Sequence, residues 1–223
     1  MGPASPPPVR PLDERSLRRA VDALCATDAR LRSVVERHGH PPLWGREPGF
    51  PTLVLLILEQ QVSLASARAA YGRLEERLGA VEPGAVLRST DDELRADGFS
   101  RQKARYARAL ATAVLDGSLD LEEVTRASDA DARASLTALP GIGPWTADVY
   151  LVMALRRPDA WPTGDIALQE AIRRLEGHDA RPTPPEADAI AERWRPHRAA
   201  AARVLWHLYL SEPAPRPARR GLP

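Results

Sequence analysis

The run Leu139-Pro140-Gly141-Ile142-Gly143-Pro144 places two glycines and two prolines in one turn between apolar helical patterns. Glycine exposes main-chain N–H groups with no Cβ in the way, and both Gly141 and Gly143 are free to take positive φ. Pro144 suits the first turn of a helix, where its missing N–H costs nothing. Successive exposed N–H groups at a helix start form a seat for an anion such as a phosphate. About twenty positions beyond Trp145, a lone acid, Asp165, follows Thr163-Gly164 and opens an amphipathic stretch with Ile166, Leu168, Ile172 and Leu175. A carboxylate there caps a helix. The same fixed carboxylate can also stabilise a developing cation or orient a water. Taken alone, the turn reads as a tight helix–helix connection and the acid as a cap.

Helices must position these residues. Apolar residues recur with a period of 3.6 and no convincing alternating strand appears, which predicts an all-α fold. Helices are expected near 13–26, 28–38, 50–64, 65–78, 91–96, 101–116, 120–125, 130–138, 145–156, 165–175, 184–193 and 197–211. Asp28, Asp91 and Asp165 are the expected N-caps, and Gly79, Gly98, Gly117 and Gly177 the expected helix ends. Residues 1–11 are rich in proline and are expected to be disordered; 212–223 read as a flexible tail carrying Arg216, Arg219 and Arg220. Aromatic residues make up only 5% of the chain, which favours helices over sheets.

Composition excludes some classes. A single cysteine, Cys25, rules out a disulfide within the chain and a four-cysteine iron–sulfur or zinc site. No apolar run reaches the roughly 20 residues of a membrane span, and the N-terminus lacks the apolar core of a signal peptide. A cytoplasmic, nucleoid-associated protein is expected. The formal net charge of +1 argues mildly against a strong nucleic-acid footprint, although a basic stripe can coexist with acidic faces elsewhere.

The string Leu139-Pro140-Gly141-Ile142-Gly143-Pro144-Trp145-Thr146-Ala147, followed by Asp165, resembles the helix-hairpin-helix (HhH-GPD) DNA glycosylases. Within them it is similar to the 3-methyladenine DNA glycosylase II branch, in a short form without the N-terminal β-rich domain. The resemblance covers roughly residues 21–211. It implies a glycosylase domain over 12–211 made of two helical lobes, one from about 50–155 with the hairpin and one from about 12–49 plus 156–211. A lesion-base pocket would lie in the cleft between them.

The resemblance also implies roles. Asp165 would be the catalytic acid. Gly141, Ile142, Gly143 and Thr146 of the hairpin would hold DNA phosphates, and the main-chain oxygens of Thr137, Leu139 and Ile142 would hold a structural monovalent cation. Trp145 stands where lyase-active relatives carry a Schiff-base lysine, so base removal without strand cleavage is implied. Gln61, with Gln60 beside it in Leu58-Glu59-Gln60-Gln61-Val62-Ser63, would enter the gap left by a flipped base, where a leucine is found in a well-known relative. Trp206, Trp145 and Trp44 would line a pocket whose electron-rich faces attract cationic alkylated bases. Val149 stands where a relative has a pocket tyrosine, with Tyr150 next to it, and Asp148 is a second acid that either tunes the pocket or is an ordinary solvated helical residue. Arg101 and Lys103, in Gly98-Phe99-Ser100-Arg101-Gln102-Lys103, resemble a helix start beside the DNA.

The expected activity is hydrolysis of the N-glycosidic bond of alkylated bases, such as 3-methyladenine and 7-methylguanine, in double-stranded DNA after base flipping. The expected protein is a monomer needing no cofactor for the chemistry and no iron–sulfur cluster. Two other readings remain at this point: a non-catalytic reader of DNA structure, and a glycosylase for oxidised, deaminated or mismatched bases.

Overall fold

The structure, a computed structural model, describes residues 10–212. The proline-rich start up to residue 9 and the tail from 213, including its three arginines, lie outside the described residues. Every regular element among the described residues is helical. In chain order they are α1 (Glu14–Thr27), α2 (Ala29–His38), α3 (Phe50–Glu59), α4 (Leu64–Leu78), α5 (Pro83–Arg88), α6 (Asp91–Asp97) and α7 (Arg101–Leu115). They continue with α8 (Leu121–Arg126), α9 (Asp129–Thr137), α10 (Pro144–Met153), α11 (Ile166–Glu176), α12 (Pro184–Ala191) and, after a 3-10 turn at Glu192–Trp194, α13 (Arg198–Ser211).

Contacts divide the chain into two compact units. One consists of Trp44–Thr163 with the residues up to Asp13, and the other of Glu14–Leu43 with the chain from Gly164 onward. The first unit therefore holds α3 to α10 and the hairpin; the second holds α1, α2 and α11 to α13, and with them Asp165.

The first unit is built around α3. Leu53, Val54, Leu56 and Ile57 have no exposed surface, as expected of a helix that is apolar all round. Gly49 provides its start, with Pro51 in its first turn. In the second unit Asp28 caps α2, accepting the Arg30 and Leu31 N–H groups at 3.0 and 3.3 Å. Its other oxygen accepts the Trp194 indole N–H at 3.0 Å, which ties the start of the unit to its C-terminal part. In α13, Ala199 to Ala202 are wholly buried, and so is Arg203. Its guanidinium donates to the Leu43 and Ala199 carbonyls at 2.8 and 3.0 Å, which offsets the cost of burying it.

Several sequence expectations need correction. Helix 50–64 stops at Glu59, because Gln60 is extended (φ −62°, ψ 126°) and Gln61 is left-handed (φ 58°). Asp91 is not an N-cap: Thr90 takes that position and exchanges hydrogen bonds with Glu93, leaving Asp91 as the first helical residue. Helix α5 was not anticipated, since six residues are too few to show a period.

Candidate active site

The hairpin runs from α9 through Ala138–Gly143 into α10. The Leu139 carbonyl accepts the Ile142 N–H at 3.2 Å, closing the turn, while the buried Ile142 side chain anchors it to the unit's interior. The two glycines do different jobs. Gly141 is left-handed at φ +87°, and a Cβ there would lie 2.1 Å from Cγ of Tyr106 in α7. The space that the sequence reading left for DNA at Gly141 is thus filled by the chain's own tyrosine. Gly143, although free to take positive φ, is extended (φ −87°, ψ 177°) and caps α10 without a side chain. A Cβ at Gly143 would meet nothing within 4 Å. Neither conformation nor internal packing demands glycine at 143.

The segment after α3 is braced against this hairpin. The Gln60 amide donates to the Gly141 carbonyl at 2.8 Å and to the Thr146 hydroxyl at 3.1 Å. From the other side, the Lys103 ammonium donates to the Leu58 carbonyl at 2.7 Å, satisfying one of the open carbonyls at the end of α3. Burial holds the Lys103 pKa below its ordinary value. Three of the expected site residues are thus engaged within the chain. The Gln60 amide is committed to the hairpin. Lys103 caps α3 with one of its three N–H donors. The Thr146 hydroxyl is buried and already used, which leaves its main-chain N–H in the first turn of α10 as the group that could meet DNA.

What stays outside is a short tip. Gln61 is exposed, Val62 and Leu64 are 47% and 52% exposed, and Ser63 caps α4 by accepting the Ser66 N–H. Sequence reasoning named Gln61 here and missed the two apolar neighbours. Arg101 is exposed at the first position of α7.

Asp148 is no solvated residue: it is 1% exposed and its Oδ1 accepts the Arg133 Nε–H at 2.6 Å. The second oxygen receives a long contact from the Thr163 N–H at 3.4 Å. A buried charge requires such a partner, and Arg133 on α9 was not singled out from the sequence. Tyr150 is fully buried, and its hydroxyl accepts the Gly49 N–H at 2.9 Å at the start of α3. Burial pushes its phenol pKa up. Val149 is also buried. Tyr150 therefore supports the fold of the first unit. Trp145 is half-buried at the second position of α10, and Trp44 is half-buried with a left-handed backbone (φ 46°).

In the second unit Asp165 caps α11. Its Oδ1 accepts the Leu168 N–H at 2.9 Å and the Trp206 indole N–H at 3.3 Å. The carboxylate is 8% exposed, so it is desolvated but held by two donors at the positive end of a helix. Trp206 on α13, expected from the sequence to be an aromatic wall, also donates to the acid.

A hairpin between two helices with an open glycine N-cap in the first unit, and a buried carboxyl group capping a helix in the second, are the features to set beside known proteins. A family profile described as HhH-GPD superfamily base excision DNA repair protein matches residues 54–196, and the chain belongs to that family. Among relatives, DNA-3-methyladenine glycosylase 1 of Schizosaccharomyces pombe is 30% identical over 165 residues, covering 72% of each chain. The structure of the 3-methyladenine DNA glycosylase Mag1 of the same organism in complex with abasic DNA superposes with a TM-score of 0.78 at 26% identity, over 84% of this chain and 95% of that one. A DNA-3-methyladenine glycosidase from Bacillus halodurans gives 0.70 at 32% identity, over 84% and 87%. No helix among the described residues is long and apolar enough to cross a membrane.

Proposed function

We propose that this chain is a monofunctional DNA glycosylase that takes an alkylated purine out of duplex DNA and hydrolyses its N-glycosidic bond, the opening step of base excision repair. The observation that carries this reading is Asp165: a buried carboxyl group immobilised by the Leu168 N–H and the Trp206 indole.

Bond cleavage leaves the electron pair on the departing base and positive charge on the sugar, an oxocarbenium-like state. An alkylated purine such as 3-methyladenine or 7-methylguanine already carries positive charge, so it departs without strong acid assistance. The task that remains is to stabilise the cationic sugar and guide water to its anomeric carbon. A carboxylate whose oxygen is pinned by two donors does this without reorganising during the reaction. The water adds to that carbon and its proton passes to the carboxylate or to solvent. Trp145 has no amine to form an imine with the sugar, so the product is an abasic site on an intact strand.

The other residues take supporting roles. The first-turn N–H groups of α10 and the bare Gly143 receive a backbone phosphate. The exposed tip of Gln61, Val62 and Leu64 fills the space vacated by the flipped base, lowering the cost of extrusion. Trp206, which donates to Asp165, supplies an aromatic face for a cationic base. Main-chain oxygens of Thr137, Leu139 and Ile142 suit a hard monovalent cation beside the phosphate. The Leu139 carbonyl, which already accepts one N–H, keeps a second lone pair for it.

The test is a release assay on methylated duplex DNA with products identified by mass. Free 3-methyladenine and 7-methylguanine with unbroken strands are expected. Asp165→Asn abolishes release while binding to the damaged duplex survives. Full turnover by that variant would refute the assignment.

A further inference from the structure

The one charged residue of α3 sits where a helix suits it least. Glu59 closes an otherwise apolar helix. Its side chain is 3% exposed, and the carboxylate stands at the negative end of the helix dipole. Arg46 compensates with both arms of its guanidinium: Nη1 and Nη2 donate to the two Glu59 oxygens at 3.0 and 2.7 Å. A forked pair of this kind fixes geometry as well as charge. A buried ion pair nevertheless adds little net stability over apolar residues of the same volume. Stability alone therefore does not account for it.

The pair stands at the root of the exposed tip. The Arg46 main-chain N–H donates to the Met153 carbonyl at 2.9 Å, at the last residue of α10. Gln60, next to Glu59, donates to Gly141 and Thr146 at the opposite end of that helix. The end of α3 is thus tied to both ends of α10. Three residues other than glycine are left-handed among the described residues, and two of them lie two positions from this pair: Trp44 before Arg46 and Gln61 after Glu59. A left-handed backbone costs such a residue free energy and persists only where its surroundings over-determine it. The strain and the ion pair belong to one device.

We infer that Arg46 and Glu59 are positioning residues: by locking the end of α3 against α10 they aim the tip at 61–64 into the gap left by a flipped base. The inference rests on the gap-filling role given to that tip above. Neither residue needs to touch the DNA. Their effect is to shape the tip before DNA arrives, so that its ordering is not paid for during insertion.

Insertion can be read without bond cleavage. In a duplex whose stable abasic-site analogue faces a 2-aminopurine, a side chain entering the gap unstacks the 2-aminopurine and raises its emission. The unaltered protein is expected to give that rise. Arg46→Met/Glu59→Leu fills the same space with apolar side chains. It is expected to melt no lower than the unaltered protein and to bind the duplex, yet to lose the rise at saturation. Glu59→Gln, read below its melting temperature, is expected to lose the rise too, and serves where the double variant does not fold. A full rise in the folded double variant would show that the pair only supports the fold, and overturns the inference. So does the absence of a rise when the unaltered protein is bound, which would also withdraw the gap-filling role from the tip. Base release from methylated DNA, and its loss in Asp165→Asn, bear on the glycosylase reading alone.

Discussion

The two hairpin glycines can be separated experimentally, because the structure gives them opposite reasons to be glycine. In Gly143→Ala the new methyl group meets no atom of the chain within 4 Å, and the backbone at φ −87° accepts alanine. Replacing glycine where the conformation suits alanine stabilises a protein by about 0.4–1 kcal/mol, through the unfolded chain. The same methyl occupies the approach to the first-turn N–H groups of α10. Loss of one charge-assisted hydrogen bond from that N-terminus to a phosphate costs about 1.5–3 kcal/mol, or roughly 10- to 100-fold in affinity. In Gly141→Ala the signs reverse. The left-handed backbone costs about 1–2 kcal/mol. The clash with Tyr106, whose ring and Cβ atoms would lie 2.1 to 2.6 Å away, adds about 1–3 kcal/mol as overpacking. A total of about 2–5 kcal/mol lowers the melting temperature by roughly 4–20 °C for a chain of this size. Thermal melts give the stability, and fluorescence anisotropy with a methylated duplex, in an Asp165→Asn background to prevent turnover, gives the affinity. Normal DNA affinity in Gly143→Ala would refute the phosphate seat, and an unaltered melt in Gly141→Ala would refute the packing of Tyr106.

Two further outcomes follow from the geometry. Gln60→Ala strips a donor from the Gly141 carbonyl and the Thr146 hydroxyl, at a cost of about 1–3 kcal/mol in denaturant unfolding. Gln60→Glu should cost at least as much, because an acceptor then faces the Gly141 carbonyl. Stability should also fall in acid through Glu170, whose pKa is lowered to about 2 from 4.5, first by hydrogen bonding to Arg173 and then by Arg174. A carboxylate with a depressed folded-state pKa contributes its full stability above 4.5 and loses it as pH falls toward 2. The gap in melting temperature between the unaltered protein and Glu170→Gln is therefore expected to be constant near neutrality and to close in that window. A gap independent of pH would refute it.

Much of the fold could be read along the chain, since helical periodicity and capping are local. Asp28 and Asp165 cap helices as their positions suggest, because a carboxylate ahead of an apolar period satisfies its own next N–H groups whatever the tertiary context. The hairpin and the acid that follows it were visible for the same reason. The break after Glu59 was not, because an apolar run continues through Val62 and Leu64 and only a tertiary bond fixes Gln60 in an extended conformation.

The chemistry of each side chain and its place on a helix are thus properties of the sequence; its partner is a property of the packed chain. Only the structure showed that Tyr106 stands behind Gly141, that Arg133 neutralises Asp148, and that Tyr150 is turned to the start of α3. It also showed that Trp206 holds Asp165 across 41 residues of chain. Contacts over such separations leave no periodic trace, since each depends on how two helices meet and not on what either one contains. Gly143 makes the distinction plainly. The sequence offered two equivalent glycines, and the structure left one of them with no internal reason to be glycine.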